Sequence, residues 1–319
     1  MLLQIIILIV GLILLILGAN WLIDGSSVLA KKNGISDLAI GLTIVAFGTS
    51  APELVINIIA SFQGHEDIVF GNVIGSNIFN TLIILGIAGI ITPMIVQSTT
   101  VWKEIPLSFL AIVILFLLAN NIINSEVEML SRIDGFILLI MFALFLYYVY
   151  TQLRVDKKNA AFSSKNYSPL KIWLLILIGL FGLIFGGRLA VVHAVKIATS
   201  LGISEKIIGL TIIAAGTSLP EMVTSIVAAI RRNNDIAVGN IIGSNIFNIF
   251  LILGISALVK PLEYSNTFNR DLLLLAGATL FLFTAMFTGK KKKLDRWEAM
   301  VLLLGYLVYT FLIIQQEML

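Results

Sequence analysis

Two short runs of the 319-residue sequence set hydroxyls, a proline and a carboxylate inside apolar segments: Gly48-Thr49-Ser50-Ala51-Pro52-Glu53 and Gly216-Thr217-Ser218-Leu219-Pro220-Glu221. An ionised carboxylate in such surroundings is expensive unless it faces a bound cation or a water-filled path. Thr49 and Glu53, like Thr217 and Glu221, stand four apart and share a helix face. Proline has no amide proton, so Pro52 and Pro220 free the carbonyls of Gly48 and Gly216 from helical pairing. Carbonyls, hydroxyls and a carboxylate together form an oxygen-rich cation cradle. Two further runs, Gly71-Asn72-Val73-Ile74-Gly75-Ser76-Asn77-Ile78-Phe79-Asn80 and Gly239-Asn240-Ile241-Ile242-Gly243-Ser244-Asn245-Ile246-Phe247-Asn248, put Ser76 with Asn80, and Ser244 with Asn248, on one face each. Hard oxygen ligands without sulfur or imidazole suit sodium or calcium rather than zinc or copper. Helix packing and back-bonding to the preceding turn are the competing readings, and the glycines are assigned to packing. The glutamate recurring at one depth in both runs favours ligation for the rest.

The elements that must hold these residues are membrane helices. The chain is 59% hydrophobic and 12% charged with a mean hydropathy of +1.03, more oil than a soluble core of this length can hide. Ten apolar stretches fall at 2–30, 37–62, 68–92, 104–120, 133–152, 169–199, 205–230, 236–258, 271–288 and 297–315. The most polar connection, 154–168, separates residues 1–153 from 169–319 and reads as a linker between five spans and five. The N-terminus lacks the basic stretch of a signal peptide and reads as a retained helix. Zero cysteines and two histidines exclude disulfides, thiol nucleophiles and Cys-ligated zinc or iron–sulfur centres. No cofactor, nucleic acid or obligate protein partner is expected; the partners are the lipid bilayer and the transported ions.

The halves are copies. Residues 39–53 align to 207–221 with 11 identities in 15, and 70–86 to 238–254 with 12 in 17, both at an offset of 168. An odd number of spans per copy makes the second enter from the opposite side, so the fold expected is all-α with two inverted five-helix repeats. Fifteen of the 21 basic residues then lie on one face and four on the other. By the positive-inside rule the basic face is cytoplasmic and both termini are outside a multi-pass protein of the cell (inner or plasma) membrane.

At these motifs the sequence resembles the cation/calcium exchanger superfamily, specifically its prokaryotic sodium/calcium exchangers, whose two repeats carry G-T-S-x-P-E and G-N-x-x-G-S-N. The resemblance implies a ten-helix inverted-repeat antiporter in which the first and sixth helices slide across a bundle of the others. It implies Na⁺ and Ca²⁺ sites built from Thr49, Ser50, Glu53, Ser76, Asn80, Thr217, Ser218, Glu221, Ser244 and Asn248. Carbonyls three residues before each threonine, Ala46 and Ala214, belong to the family set, whereas the proline argument frees those of Gly48 and Gly216. Many such exchangers are acidic where this chain has Asn248, which leaves stoichiometry, electrogenicity and any potassium participation open. The nearest rival is a proton/calcium exchanger, because a glutamate in a low-dielectric cavity can carry protons instead of sodium. A passive cation channel and an intramembrane serine hydrolase are remoter, the latter lacking a nearby Lys or His base. Asp24, Arg188 and His193 fit gate polarity or interfacial snorkelling equally well.

Overall fold

The computed structural model of the chain describes residues 1–121, 128–155, 167–202, 214–289 and 292–318. Its apolar runs form helices because a segment in lipid must satisfy its own backbone hydrogen bonds. The order is α1 (Leu2–Asn33), α2 (Asp37–Thr49), α3 (Ala51–Gln63), α4 (Glu66–Ile91), β1 (Met94–Ile95), α5 (Thr100–Ala119), β2 (Met129–Leu130) and α6 (Arg132–Val155). Then follow α7 (Pro169–Ser200), α8 (Leu219–Ile230), α9 (Asn234–Val259), β3 (Leu262–Glu263), α10 (Phe268–Ala285), β4 (Lys293–Leu294) and α11 (Arg296–Met318). Among the described residues eight helices are long and apolar enough to cross a membrane, and nine spans result if α2 and α3 count as one. The expected seventh span is represented by the turn Ala214–Gly216 and by α8. Its residues 203–213, including Lys206 and the counterpart of Gly41, lie outside the described residues, as do 156–166 of the expected linker and Lys290–Lys291.

The interruption expected at the proline motif is a break at Ser50, where the chain bends by 48° between α2 and α3. Pro52 sits in the first turn of α3, where its missing amide proton costs nothing. The equivalent Pro220 opens α8 in the same way after Ser218. Gly64, at φ 76°, closes α3 in the left-handed conformation and accepts the chain reversal into α4.

The longest helices, α1 and α7, cross antiparallel at very short range. A Cβ built on Gly11 would lie 2.9 Å from the Gly186 carbonyl, one on Gly18 2.7 Å from that of Gly179, and one on Gly25 3.0 Å from that of Ile172. As one number rises by seven the other falls by seven, so close approaches repeat every second turn. The centre of the molecule is made by α4 and α9, whose apolar windows are 72% and 83% buried against 22% for α1. Gly239 and Gly243 let α9 press onto the backbone of Leu38 and Leu42 in α2, the packing role expected of the motif glycines. Gly71 and Gly75 in α4 have no such tight contact.

Contacts between connections assign them to two faces. Arg231 and Asn233 reach Asp24, Ser27 and Asp37, Gln97 reaches Asp235, and β1 pairs with β4, so these lie on one face. On the other, Lys260 pairs with Glu66 at 3.0 Å and β2 pairs with β3.

Candidate ion-binding site

The break at Ser50 and the turn before α8 bring Glu53 and Glu221, one from each half, into the middle of the molecule. Each is 1% exposed, and Ser50, three residues before Glu53, donates a hydrogen bond to the Glu221 carboxylate. Among the described residues no lysine or arginine pairs with either. Two buried carboxylates without a counter-charge are costly to hold ionised, and keeping both charged at this depth requires a cation between or beside them.

The hydroxyl and amide residues of the motifs surround this pair, and they do so across the halves. Thr49 Oγ1 donates to Asn240 Oδ1 at 3.1 Å, and Thr217 Oγ1 donates to Asn72 Oδ1 at 3.3 Å. Asn80 Nδ2 donates to Asn245 Oδ1 at 3.1 Å, and Asn248 Nδ2 donates to Asn77 Oδ1 at 2.9 Å. Within each of these two pairs of bonds, one is the other carried over by the repeat offset of 168. Asn80 and Asn248 occupy wider helical turns, Phe79–Ile84 and Phe247–Leu253, in which the hydrogen-bond ladder skips an extra residue. Such turns concentrate at functional sites because they re-aim side chains without ending a helix.

Other bonds belong to one copy only. Ser50 Oγ donates to Glu221 Oε1 at 2.9 Å and lies 3.0 Å from Ser244 Oγ. Asn240 Nδ2 holds Ser225 Oγ at 2.9 Å and the Glu221 carbonyl at 3.3 Å. On the Glu53 side the counterparts are unmade: Ser218 Oγ, Ser76 Oγ and Asn72 Nδ2 have no partner, and the Glu53 carbonyl is held by Asn57 Nδ2 at 2.7 Å instead. A cavity of about 630 Å³ bounded by Gly75, Ser76 and Thr217 extends from this side to Asp67 at the start of α4. One half-site is therefore closed on itself and the other borders open space.

Seven buried oxygens of the motif residues carry no hydrogen bond: both of Glu53, Glu221 Oε2, Ser76 Oγ, Ser218 Oγ, Asn80 Oδ1 and Asn248 Oδ1. Buried polar atoms are nearly always satisfied. A cluster of unsatisfied oxygens with two carboxylates among them is a donor set for hard cations. The Ala46 carbonyl accepts from the Ser50 amide at 3.0 Å and from Thr49 Oγ1 at 3.3 Å; Ala214 opens the short turn before Gly216. Gly48 and Gly216 both lie beneath α7, against Leu180 and Val191.

Asn72, Asn77, Asn240 and Asn245, motif amides outside the ligand set that the resemblance implies, belong to this network, as does Ser225. The four asparagines recur at the 168-residue offset, whereas Ser225 is matched by Asn57 and carries no such signal. Asp24 pairs with Arg231 at 2.8 Å, and Asn20 also receives that guanidinium. His193 directs Nδ1 at the Leu189 carbonyl, 2.9 Å away within its own helix, and Arg188 is exposed.

A model of the sodium/calcium exchanger protein family matches residues 3–151 and 171–315, one stretch in each half. The chain is 36% identical over 318 residues to the putative antiporter CaxA of Alkalimonas amylolytica, covering 98% of this chain and 99% of that one. It is 32% identical to the sodium/calcium exchanger MaX1 of Methanosarcina acetivorans, covering 95% and 96%. Among solved structures it resembles the sodium-calcium exchanger NCX_Mj soaked with Na⁺ and Sr²⁺, with a TM-score of 0.81, 34% identity and coverage of 96% and 97%.

Proposed function

The chain belongs to the sodium/calcium exchanger family of membrane antiporters, and from that premise we propose that it exchanges Na⁺ for Ca²⁺ at the Glu53–Glu221 site by alternating access. The observation that carries the reading is the set of seven unpartnered buried oxygens drawn from both halves, three from the two carboxylates and four from hydroxyls and amides. Two carboxylates neutralise one Ca²⁺ or two monovalent ions, and they cannot serve both loads together, so ions competing for the same oxygens are exchanged. Asn248 adds an oxygen without adding charge, which keeps the competition balanced on two negative groups. The ligands are Thr49, Ser50, Glu53, Ser76, Asn80, Thr217, Ser218, Glu221, Ser244 and Asn248, with main-chain oxygen from the Ala46 and Ala214 turns.

The unlike half-sites support alternating access. The Ser50–Glu221–Ser244 cluster is closed, while Ser76 and Thr217 border the cavity that reaches Asp67. Exchanging the two arrangements closes that path and opens the equivalent one on the other face. The antiparallel crossing of α1 and α7 and the bonds repeated at the 168-residue offset support two inverted five-helix repeats, residues 1–153 and 169–319, joined through 154–168. The basic face is cytoplasmic and both termini lie outside the cell membrane.

The test is uptake of radiolabelled Ca²⁺ into proteoliposomes loaded with Na⁺, comparing the parent with Glu53→Gln and Glu221→Gln. Sodium-dependent uptake by the parent, abolished in either variant, is the expected result. Uptake driven by a pH gradient alone would replace sodium with protons, and uptake surviving both substitutions would move the site elsewhere.

A further inference from the structure

We propose that Asn77 and Asn245 are positioning residues: each fixes the ligand asparagine of the opposite half, Asn248 or Asn80, with its amide nitrogen occupied and its oxygen turned to the ion. The inference rests on the ligand assignment above and adds what orients two of those ligands.

A carboxamide offers an acceptor on one side and a donor on the other, and only the oxygen is useful to a cation. Either orientation fills the same space, so something must choose. At Asn248 the choice begins from a group that cannot be reversed. The main-chain carbonyl of Asn245 is an acceptor only, and Asn77 faces it at 3.2 Å, so the Asn77 atom there is Nδ2. Asn77 Oδ1 is then the acceptor turned to Asn248, 2.9 Å away, which demands Nδ2 from Asn248. Asn248 Oδ1 is left free, buried and unpartnered. A peptide group thus orients an ion ligand through one intervening side chain.

The other half repeats the arrangement with a different anchor. Asn80 Nδ2 meets Asn245 Oδ1, leaving Asn80 Oδ1 without a partner, and Asn245 Nδ2 is held by Thr81 Oγ1 at 2.9 Å. A hydroxyl can turn either way, and the position equivalent to Thr81 is Ile249. Asn248 is thus the more firmly set of the two. Asn77 and Asn245 are fully or nearly buried, and neither has an unpartnered atom of its own. Groups behind the ligands are known to set ligand orientation and affinity in metal sites.

The deciding experiment is a double-mutant cycle on sodium-driven Ca²⁺ uptake with Asn77→Ala, Asn248→Ala and the pair. Asn77→Ala is expected to raise the apparent KM for Ca²⁺ about tenfold with kcat within about twofold, the range found for outer-shell partners of metal ligands. In the Asn248→Ala background the same change should add less than about twofold, because nothing remains to orient. Independent, multiplying effects on KM would overturn the proposal, as would an unchanged KM in Asn77→Ala. The mirror cycle, Asn245→Ala with Asn80→Ala, serves if Asn77→Ala does not fold. Failure of both singles to fold would assign the asparagines to packing and also end the proposal. A parent without sodium-driven uptake would instead refute the transport reading, so the two failures are distinguishable.

Discussion

Ser50 Oγ, from one half of the chain, donates to Glu221 Oε1 of the other at 2.9 Å, while its counterpart Ser218 Oγ has no partner. Equivalent serines of the two repeats thus sit in two different hydrogen-bond states within one molecule. That difference is measurable without transport. In ion-free detergent Ser50→Ala should cost about 1–3 kcal/mol, the range for leaving a buried acceptor unsatisfied. Ser218→Ala should be nearly neutral, since no bond is lost. Equal shifts in the two melting curves would contradict the asymmetry.

Ligand linkage gives a second prediction. If Ca²⁺ binds the folded protein at the paired glutamates, it stabilises by mass action, by about 2.7 kcal/mol at a hundred times its Kd. The parent's melting midpoint should climb with Ca²⁺ concentration, and Na⁺ should reduce the climb by competition. Glu53→Gln and Glu221→Gln should each melt at a midpoint independent of Ca²⁺. Ca²⁺-dependent stabilisation retained in both would place the ion outside this pair.

Two equivalent glycines should respond differently to a methyl group. A Cβ on Gly243 would lie 2.8 Å from Ala46 Cβ and 3.0 Å from the Leu42 Cα, whereas one on Gly75 would meet nothing within 4 Å. Gly243→Ala should therefore destabilise by about 1–3 kcal/mol through overpacking. Gly75→Ala should fold normally, yet slow turnover by about tenfold, because alternation must at some stage give Gly75 the close neighbour that Gly243 already has. Thermal melts and uptake rates on both variants decide this. Unimpaired turnover in Gly75→Ala would count against exchange of the two packings.

The Asp24–Arg231 pair joins α1 to the end of α8 and is about one-third exposed, so solvent screens it. Asp24→Asn should shift stability by less than about 1 kcal/mol. Its effect should appear in conformation. The chain has no cysteine, so Ile56→Cys, in the wall of the large cavity, provides one label site. In ion-free vesicles a membrane-impermeant maleimide should react with it from the Asp67 face, and adding Asp24→Asn should slow that reaction several-fold. An unaltered labelling rate would show that the pair does not hold this state.

Much of the site was legible because its residues recur. Glu53 and Glu221 stood out as charges in oil, and Pro52 and Pro220 marked the interruptions that the structure places at Ser50 and Ser218. The two-face assignment of the connections followed from counting basic residues, and contacts such as Gln97–Asp235 and Lys260–Glu66 place the loops accordingly. The wider turns at Phe79 and Phe247 were not legible, since isoleucine, leucine and phenylalanine fit them as well as an ordinary helix. Nor were the partners of Asn77 and Asn245, because a hydrogen bond between side chains 171 positions apart leaves no local trace. Gly18 and Gly186 were visible as duplicates. That each instead abuts a glycine of the opposite helix, Gly179 and Gly11, emerges only once α1 and α7 run antiparallel.

The two short ribbons, β1 with β4 and β2 with β3, each join a connection of one half to a connection of the other. Between them they stitch the ends of α4, α5, α6, α9, α10 and α11 together at both surfaces of the membrane. A block sewn at top and bottom resists shear within itself, while α1, α2, α3, α7 and α8 stay outside the seams. Any relative movement is then left to the unsewn helices, among them α3 and α8, which carry Glu53 and Glu221 past a block that carries Ser76, Asn80, Ser244 and Asn248.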